Sequence, residues 1–398
     1  MLAINPALAR VPAPPISQAA RWAQTYDGRA GPLINLSQAV PGNAPPEDLA
    51  RRLGEAAASA EGARYGAVLG DTVLREAYSA DVSALYGAPV APSEVAVTAG
   101  CNQAFFVAVM TVAGAGDAVI LPVPFYFNHQ MTLDMLGIEI RPLETRPEDG
   151  FVPTLDGLKT AMSDKVKAVA LVTPNNPTGA IYPPETIEAI YDFCAENGLW
   201  LILDETYRDF LPAGNRAPHG LFGKPDWREH LVGLYSFSKS YAIPGHRMGA
   251  MTGGADFLAE AEKVLDSLQI CAPRPPQAVL AWAIGGLTDY RRTTAAEIEA
   301  RAEVFRNAMA PHPDWRIEQL GAYFAYVRHP FPGIPAAVVA ERLARELGIV
   351  TLPGPFFGPG NENHLRIAFA NVSSERLGHL GERLALAQAL FAEETVHG

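Results

Sequence analysis

Residues 236 to 249 read Ser-Phe-Ser-Lys-Ser-Tyr-Ala-Ile-Pro-Gly-His-Arg-Met-Gly. One lysine, Lys239, stands among small hydroxyl residues, and Arg247 follows between two glycines. The preceding run, Leu231 to Tyr235, reads as a short buried strand. A lysine at the end of such a strand is costly unless it is paired or used. Desolvated and near other cations, its amine has a lowered pKa and can attack a carbonyl carbon to form a Schiff base. Arg247 and the hydroxyls of Ser236 and Ser238 offer the charge and donors that a phosphate monoester needs. An aldehyde that carries a phosphate, pyridoxal 5'-phosphate (PLP), satisfies both requirements. Taken alone, the stretch fits a surface turn with a solvated lysine equally well.

Other stretches bear on the choice. Val95 to Thr98 reads as a strand that leads through Gly100, Cys101 and Asn102 into an apolar helix from Ala104 to Val112. Free backbone N–H groups and the helix dipole make such a start an anion site, although an ordinary βα turn has the same form. The buried strand Trp200 to Leu203 ends at Asp204, a carboxylate that must find a partner. The apolar run Ala168 to Val172 opens into Thr-Pro-Asn-Asn-Pro-Thr-Gly, a composition common in turns. Arg366 alternates with apolar neighbours on a strand from His364 to Ala370. A salt-bridged, exposed arginine is the plain reading of that position.

The pattern Ser-x-Ser-Lys followed by Gly-x-Arg-x-Gly resembles the lysine segment of the class I/II aminotransferases, the fold-type I PLP enzymes. The resemblance extends from about Leu33 to about Ala370, and Asn176-Pro177-Thr178-Gly179 is among its most specific motifs. It implies that Lys239 holds PLP as an aldimine and carries protons. Asp204 would face the pyridine nitrogen, and Asn176 and Tyr207 would share the phenolic oxygen. Gly100, Cys101 and Asn102, with Ser236, Ser238 and Arg247, would hold the phosphate. Tyr126 would stack on the ring, with Phe125 as its nearest rival, and His129 would bond Asp204 as it does in one branch. Arg366 would grip the substrate α-carboxylate, with Asn176 and the backbone of Gly42 close by. Tyr65 would reach the phosphate of a neighbouring subunit, which makes a homodimer with shared active sites.

The implied activity is transfer of an amino group from an L-amino acid to a 2-oxo acid. A β-lyase of C–S type or a decarboxylase on the same scaffold uses the same cofactor residues and stays open as an alternative. A PLP-binding regulator would need a DNA-binding extension, for which the stretch before Leu33 has no room. The aspartate branch places an arginine shortly before a Pro-Pro pair. Here Gln269 lies near that position, and Arg274 directly precedes Pro275 and Pro276. Tyr126, Tyr323 and Phe324 would also tolerate aromatic or aliphatic side chains.

These residues need a scaffold that brings strand ends together. Strands alternating with helices through the middle of the chain predict an α/β fold with a doubly wound sheet. Continuous apolar runs fit central parallel strands. The resemblance makes this the fold-type I transferase: a large domain with a mostly parallel sheet plus a smaller α/β domain. The expected division is an N-terminal arm and part of the small domain in 1–44, the PLP-binding domain in 45–274, and the remaining small domain in 275–398. A Pro-rich break at 271–277 marks the second boundary, followed by one helical stretch from Ala278 to Met309.

Composition narrows the class. The 398 residues are 48% hydrophobic and 19% charged, as in globular proteins with a large core. A net charge of -12 argues against nucleic acid as a partner. Three scattered cysteines fit a reducing compartment better than a disulfide framework. With no signal peptide, membrane-length apolar run or metal-ligand cluster evident, the expected location is the cytoplasm and the expected partners are small molecules.

Overall fold

The strands follow the apolar runs of the sequence. In chain order they are β1 (Ile34–Asn35), β2 (Val95–Thr98), β3 (Ala118–Val123), β4 (Glu139–Glu144), β5 (Val166–Val172), β6 (Trp200–Asp204) and β7 (Leu231–Ser236). After them come β8 (Gly249–Thr252), β9 (Arg316–Gly321), β10 (Phe324–Arg328), β11 (Ile349–Val350), β12 (Leu352–Pro353) and β13 (His364–Ala368). This computed structural model describes residue 2, residues 4–212 and residues 217–392. Residues 1, 3, 213–216 and 393–398, which fall within the expected segments 1–44, 45–274 and 275–398, lie outside the described residues.

A seven-stranded sheet runs in the order β2-β8-β7-β6-β5-β3-β4. Only β8 runs antiparallel to its neighbours. Helices over Cys101–Val112, Phe127–Leu136, Leu155–Ala161 and Pro184–Glu196 connect the parallel strands. Strands β2, β3, β7 and β8 are buried along their whole length, as strands covered on both faces must be. At the edge, β4 carries Glu139, Arg141 and Glu144, and such charges keep an edge from pairing with other chains.

Register decides what meets at the C-terminal ends of the parallel strands. Val172 pairs with Asp204, and Asp204 pairs with Leu234. Across β8, Thr98 pairs with Gly249, and Gly249 pairs with Ser236. The turn after β2, the end of β6 and the segment after β7 therefore share one edge. In an open α/β sheet that edge is where ligands bind.

A four-stranded antiparallel sheet, β12-β13-β10-β9, carries Arg366. The N-terminal segment is locked to it: the Ala368 amide donates to the Leu36 carbonyl at 2.8 Å, and β1 pairs with β11. The expected single helix from Ala278 to Met309 is two, Pro275–Gly286 and Thr288–Met309, separated by Leu287 in a non-helical conformation. Gly285 and Gly286 explain the break, since adjacent glycines are poor helix formers. The first of these helices packs on helices Glu47–Ala58 and Thr72–Tyr86. The second runs to the core of the small sheet, where Ile298, Ala302 and Phe305 are buried. Among the described residues no helix is long and apolar enough to cross a membrane.

Candidate active site

A cavity of about 600 Å³ lies at the C-terminal edge of the large sheet and reaches β13. Lys239, Asp204, Tyr207, Cys101, Asn102, Tyr126, Asn176, Ser236, Ser238, Arg247 and Arg366 all line it. They come from six separate stretches of the chain.

Lys239 sits in the short helix Phe237–Ser240, whose N-cap Ser236 accepts a hydrogen bond from the Ser238 amide at 3.3 Å. Its Nζ donates to the Ala39 carbonyl and lies 5.9 Å from the centre of the Tyr207 ring. Burial, then the nearby Arg247 and Arg366, lower its pKa from the usual 10.5 to about 8. About a quarter of the amine is therefore neutral near pH 7.5, and that neutral form is the one that attacks a carbonyl.

Asp204 closes β6. Burial alone would raise its pKa, but His129, followed by Thr206, outweighs burial and holds the carboxyl below the usual range. His129 Nε2 lies 3.5 Å from Oδ2, and the Thr206 amide donates to Oδ1 at 2.9 Å. The imidazole is itself fixed by stacking on Phe105 at 3.7 Å. The result is a buried carboxylate that stays ionised, as a partner for a cationic ring nitrogen must.

Arg247 presses against bare backbone. A Cβ on Gly100, which has φ +87°, would come within 2.3 Å of Nη2. A Cβ on Gly249 would lie 2.8 Å from the Gly100 carbonyl carbon. Glycine at both positions lets the guanidinium approach the first turn of helix Cys101–Val112. The N–H groups of such a turn have no acceptor within their own helix. Arginine, first-turn amides and the Ser236 and Ser238 hydroxyls form a cradle for a phosphate. Burial, then Asp204, push the Cys101 thiol up, so it stays protonated.

Arg366 is 1% exposed. It donates to Asn176 Oδ1 at 3.0 Å and to the Ser37 carbonyl, while its Nε has no partner. Phe324 and Phe357 flank the guanidinium at 5.1 and 5.2 Å, and burial pushes its pKa down to about 10. Lys239, Arg247 and Arg366 are the cavity's three cations, and Asp204 is its one carboxylate. Among the described residues the three cations bond only to neutral groups. A chain of net charge -12 thus encloses a cationic pocket, which calls for anionic ligands.

Tyr126 caps helix Phe127–Leu136 and lies 3.5 Å from Asn102 Oδ1 through its hydroxyl. Phe125 is buried against the position of Gly358 and does not line the cavity. Burial, then Tyr126, raise the Tyr207 pKa well above its usual value, so its hydroxyl remains a donor.

Some expectations are relocated. Gly42 does not line the cavity; it lies against Arg301 and Asn371, and Ala39 is the loop residue that meets Lys239. Tyr323 and Phe324 are fully buried behind Tyr207, at ring separations of 5.3 and 5.2 Å, and line no part of the cavity. Tyr65 is 75% exposed on the surface of the chain. Arg274 sits beside it, donating to the Tyr65 carbonyl and pairing with Asp71 and Glu61. Gln269 ends helix Ala255–Gln269, outside the cavity lining.

The structure adds residues whose support of the site the sequence pattern did not show, Asp209 having read only as a structural ion-pair partner. Thr206 holds Asp204, and its position two residues after an aspartate is the signature of a side-chain turn. Asp209 accepts from Ser240 Oγ and from Tyr235 at 2.6 Å, and pairs with Arg291 on helix Thr288–Met309. It ties the lysine segment to the helix that runs towards the second sheet. Ile16, Val40, Phe127 and Met131 form apolar wall.

Comparisons with known proteins show the family and the fold. Residues 31–384 match the family described as aminotransferase class I and II. Aspartate/prephenate aminotransferase of Thermus thermophilus is 28% identical over 363 residues, 89% of this chain and 90% of that protein. Aromatic aminotransferase ISS1 of Arabidopsis thaliana is 29% identical over 301 residues, covering 73% of this chain and 74% of its own. Among solved structures, a single mutant of Thermus thermophilus aspartate aminotransferase superposes with a TM-score of 0.88 at 24% identity, over 97% of this chain and 100% of that one.

Proposed function

Because the chain belongs to the class I and II aminotransferase family and is an enzyme of amino-group transfer, we propose that it works with PLP on Lys239, moving the amino group of an L-amino acid to a 2-oxo acid. The observation that carries this reading is the cationic cavity, with three unpaired cations around one ionised carboxylate. Bound there, PLP supplies an electrophilic carbon and a ring that accepts the electron pair released at the substrate Cα.

The protein's own residues divide the work. Arg247, the Ser236 and Ser238 hydroxyls and the turn Gly100-Cys101-Asn102 would hold the phosphate. Asp204 would keep a proton on the ring nitrogen, with His129 keeping Asp204 oriented. Asn176 and Tyr207 would donate to the phenolic oxygen, and Tyr126 would lie against the ring. Arg366 binds the substrate carboxylate with its two terminal nitrogens, which fixes Cα relative to Lys239. The Lys239 amine then takes the Cα proton on Nζ and gives it up again, as general base and acid. Its pKa of about 8 suits that exchange near neutral pH.

A second copy of the chain completes the site through Tyr65. A large aromatic that is 75% exposed beside the paired Arg274 supports a partner surface there. Three free cysteines support a reducing, cytoplasmic setting.

The test is a paired product assay on protein loaded with PLP. Amino acids are supplied singly with pyruvate or 2-oxoglutarate, and both products are quantified. Equal amounts of new 2-oxo acid and new amino acid, lost in Lys239→Ala, are the expected result. Ammonia and pyruvate released from a cysteine-type substrate with no acceptor present would replace transfer by elimination.

A further inference from the structure

We propose that Asp209, with Ser240 and Arg291, is a positioning residue that sets the Lys239 amine against the carboxylate held by Arg366, through helix Thr288–Met309. The inference rests on the assignment of Lys239 to the proton exchange and of Arg366 to the substrate carboxylate.

The segment that carries Lys239 cannot hold its own shape. Helix Phe237–Ser240 is a single turn, too short to persist without outside contacts. Beyond it the chain passes through Ala242 at φ +54°, a left-handed conformation that a residue with a Cβ adopts only under restraint. The Ser236 cap fixes the start of the turn. Ser240 fixes its end from the side away from the cavity, since it is buried and forms no part of the lining. Ser240 Oγ donates to Asp209 Oδ2, and the Tyr235 hydroxyl on β7 donates to the same oxygen at 2.6 Å. The two hydroxyl oxygens lie 3.2 Å apart. Asp209 thus clamps the residue after Lys239 to the strand before it, with hydrogen bonds of the stronger, charge-assisted kind. Asp209 itself lies in the turn Arg208–Phe210, just after the end of β6, so the clamp also relates Lys239 to Asp204.

The other oxygen of Asp209 leads to the far side of the cavity. Oδ1 lies 3.6 Å from Arg291 Nη1. Arg291 is fixed in turn by Asp81 at 3.3 Å and the Ile284 carbonyl at 3.1 Å, and it lies over the Tyr241 ring at 5.6 Å. Arg301 stands on the same helix, about 15 Å further along its axis. It donates to Asn43 Oδ1 at 2.6 Å and to the Ala370 carbonyl. Asn43 belongs to the loop whose Ala39 carbonyl meets Lys239 Nζ, and Ala370 follows the strand that carries Arg366. One helix therefore holds the lysine segment at Arg291 and the Arg366 strand at Arg301. The gap between Nζ and the guanidinium decides whether the amine reaches the substrate Cα proton, and a misplacement of about 1 Å can cost about 100-fold in rate.

The experiment makes Ser240→Ala, Asp209→Asn and the double variant in the PLP-loaded protein. Kinetics are read with the donors that the paired product assay yields, and the visible circular dichroism of the bound cofactor is recorded. PLP is achiral, so that band reports a fixed seat in the protein. Each single variant should lose about 10- to 100-fold in kcat. KM should change by less than about threefold, because Arg366 is untouched. The double variant should lose no more than the larger single loss, to within about twofold, since both changes act on the same contact. The dichroism band should weaken in all three. Tyr191→Phe is the control: it removes a hydrogen bond of the same kind, from Tyr191 to Asp226 at 2.8 Å, outside the cavity lining. It should lower stability and leave kcat and the band unchanged. If Ser240→Ala and Asp209→Asn do no more than that, the positioning role is overturned. Should Asp209→Asn fail to fold, Ser240→Ala, which removes a single hydroxyl, decides alone. If no amino acid serves as a donor, or Lys239→Ala keeps both activity and band, the reading of the site fails first, and this inference fails with it.

Discussion

Replacing Lys239 by methionine keeps an unbranched side chain one atom shorter and removes its charge. In the folded protein burial lowers the amine's pKa from 10.5 to about 8. Between those values the unfolded chain holds more protons, so the lysine protein gains stability as pH rises across that window. Below the folded value the cost of the buried ammonium is present in full, and above the unfolded value it has gone. Linkage between about pH 6.5 and about pH 9.5 then gives a change of about 2 kcal/mol, a ceiling because Nζ faces a water-accessible cavity. The hydrogen bond to the Ala39 carbonyl offsets part of the cost at every pH. The assay is urea unfolding of the cofactor-free protein at both pH values, wild type beside Lys239→Met, at one protein concentration. The variant should be the more stable at the lower pH, and its advantage should shrink by most of those 2 kcal/mol at the higher. A difference that is independent of pH, or that grows as pH rises, would show that the fold does not desolvate Lys239. The electrostatic reading of the cavity would then have to be abandoned.

Three further outcomes are expected. Arg366→Lys keeps a charge but loses the planar fork, so substrate binding should weaken by about 10- to 100-fold; unchanged half-saturation would remove Arg366 from the carboxylate site. Gly100→Ala places a Cβ 2.3 Å from Arg247 Nη2 at a positive φ, so titration of the cofactor-free protein with PLP should show at least about tenfold weaker binding, on the scale of a lost charge-assisted hydrogen bond. Asp204→Asn removes the charge but keeps the shape, and kcat should fall by about 10²- to 10³-fold, on the scale of one lost electrostatic stabiliser; a rate within a few-fold of wild type would mean that ring protonation does not depend on this carboxylate.

Some of this site can be read from the chain because of how parallel strands are written. Lys239, Asp204 and Asn176 each follow an apolar run, and a polar residue at such a place stands out as costly unless it has work to do. Loops carry no comparable signal: Gly42 was expected beside the substrate carboxylate, but it stays outside the cavity, and Ala39 is the residue of that loop that meets Lys239. Aromatic residues next to apolar ones look alike whether they line a cavity or back one, which is why Tyr323 and Phe324 read as substrate contacts and prove to be core. The deeper limit concerns charge. A sequence shows which side chains can carry charge, but whether a charge has a partner is decided by the fold. Arg274 and Arg366 are the same residue type near opposite ends of the same region. One meets two carboxylates, Asp71 and Glu61, from segments some two hundred residues away. The other is buried among an asparagine, a backbone carbonyl and two phenylalanines, with one nitrogen unbonded. A paired guanidinium has little to gain from a new anion, whereas an unpaired, desolvated one gains from any carboxylate that can reach it. That difference separates a structural arginine from a receptor, and it arises only once strands β10, β12 and β13 are laid side by side.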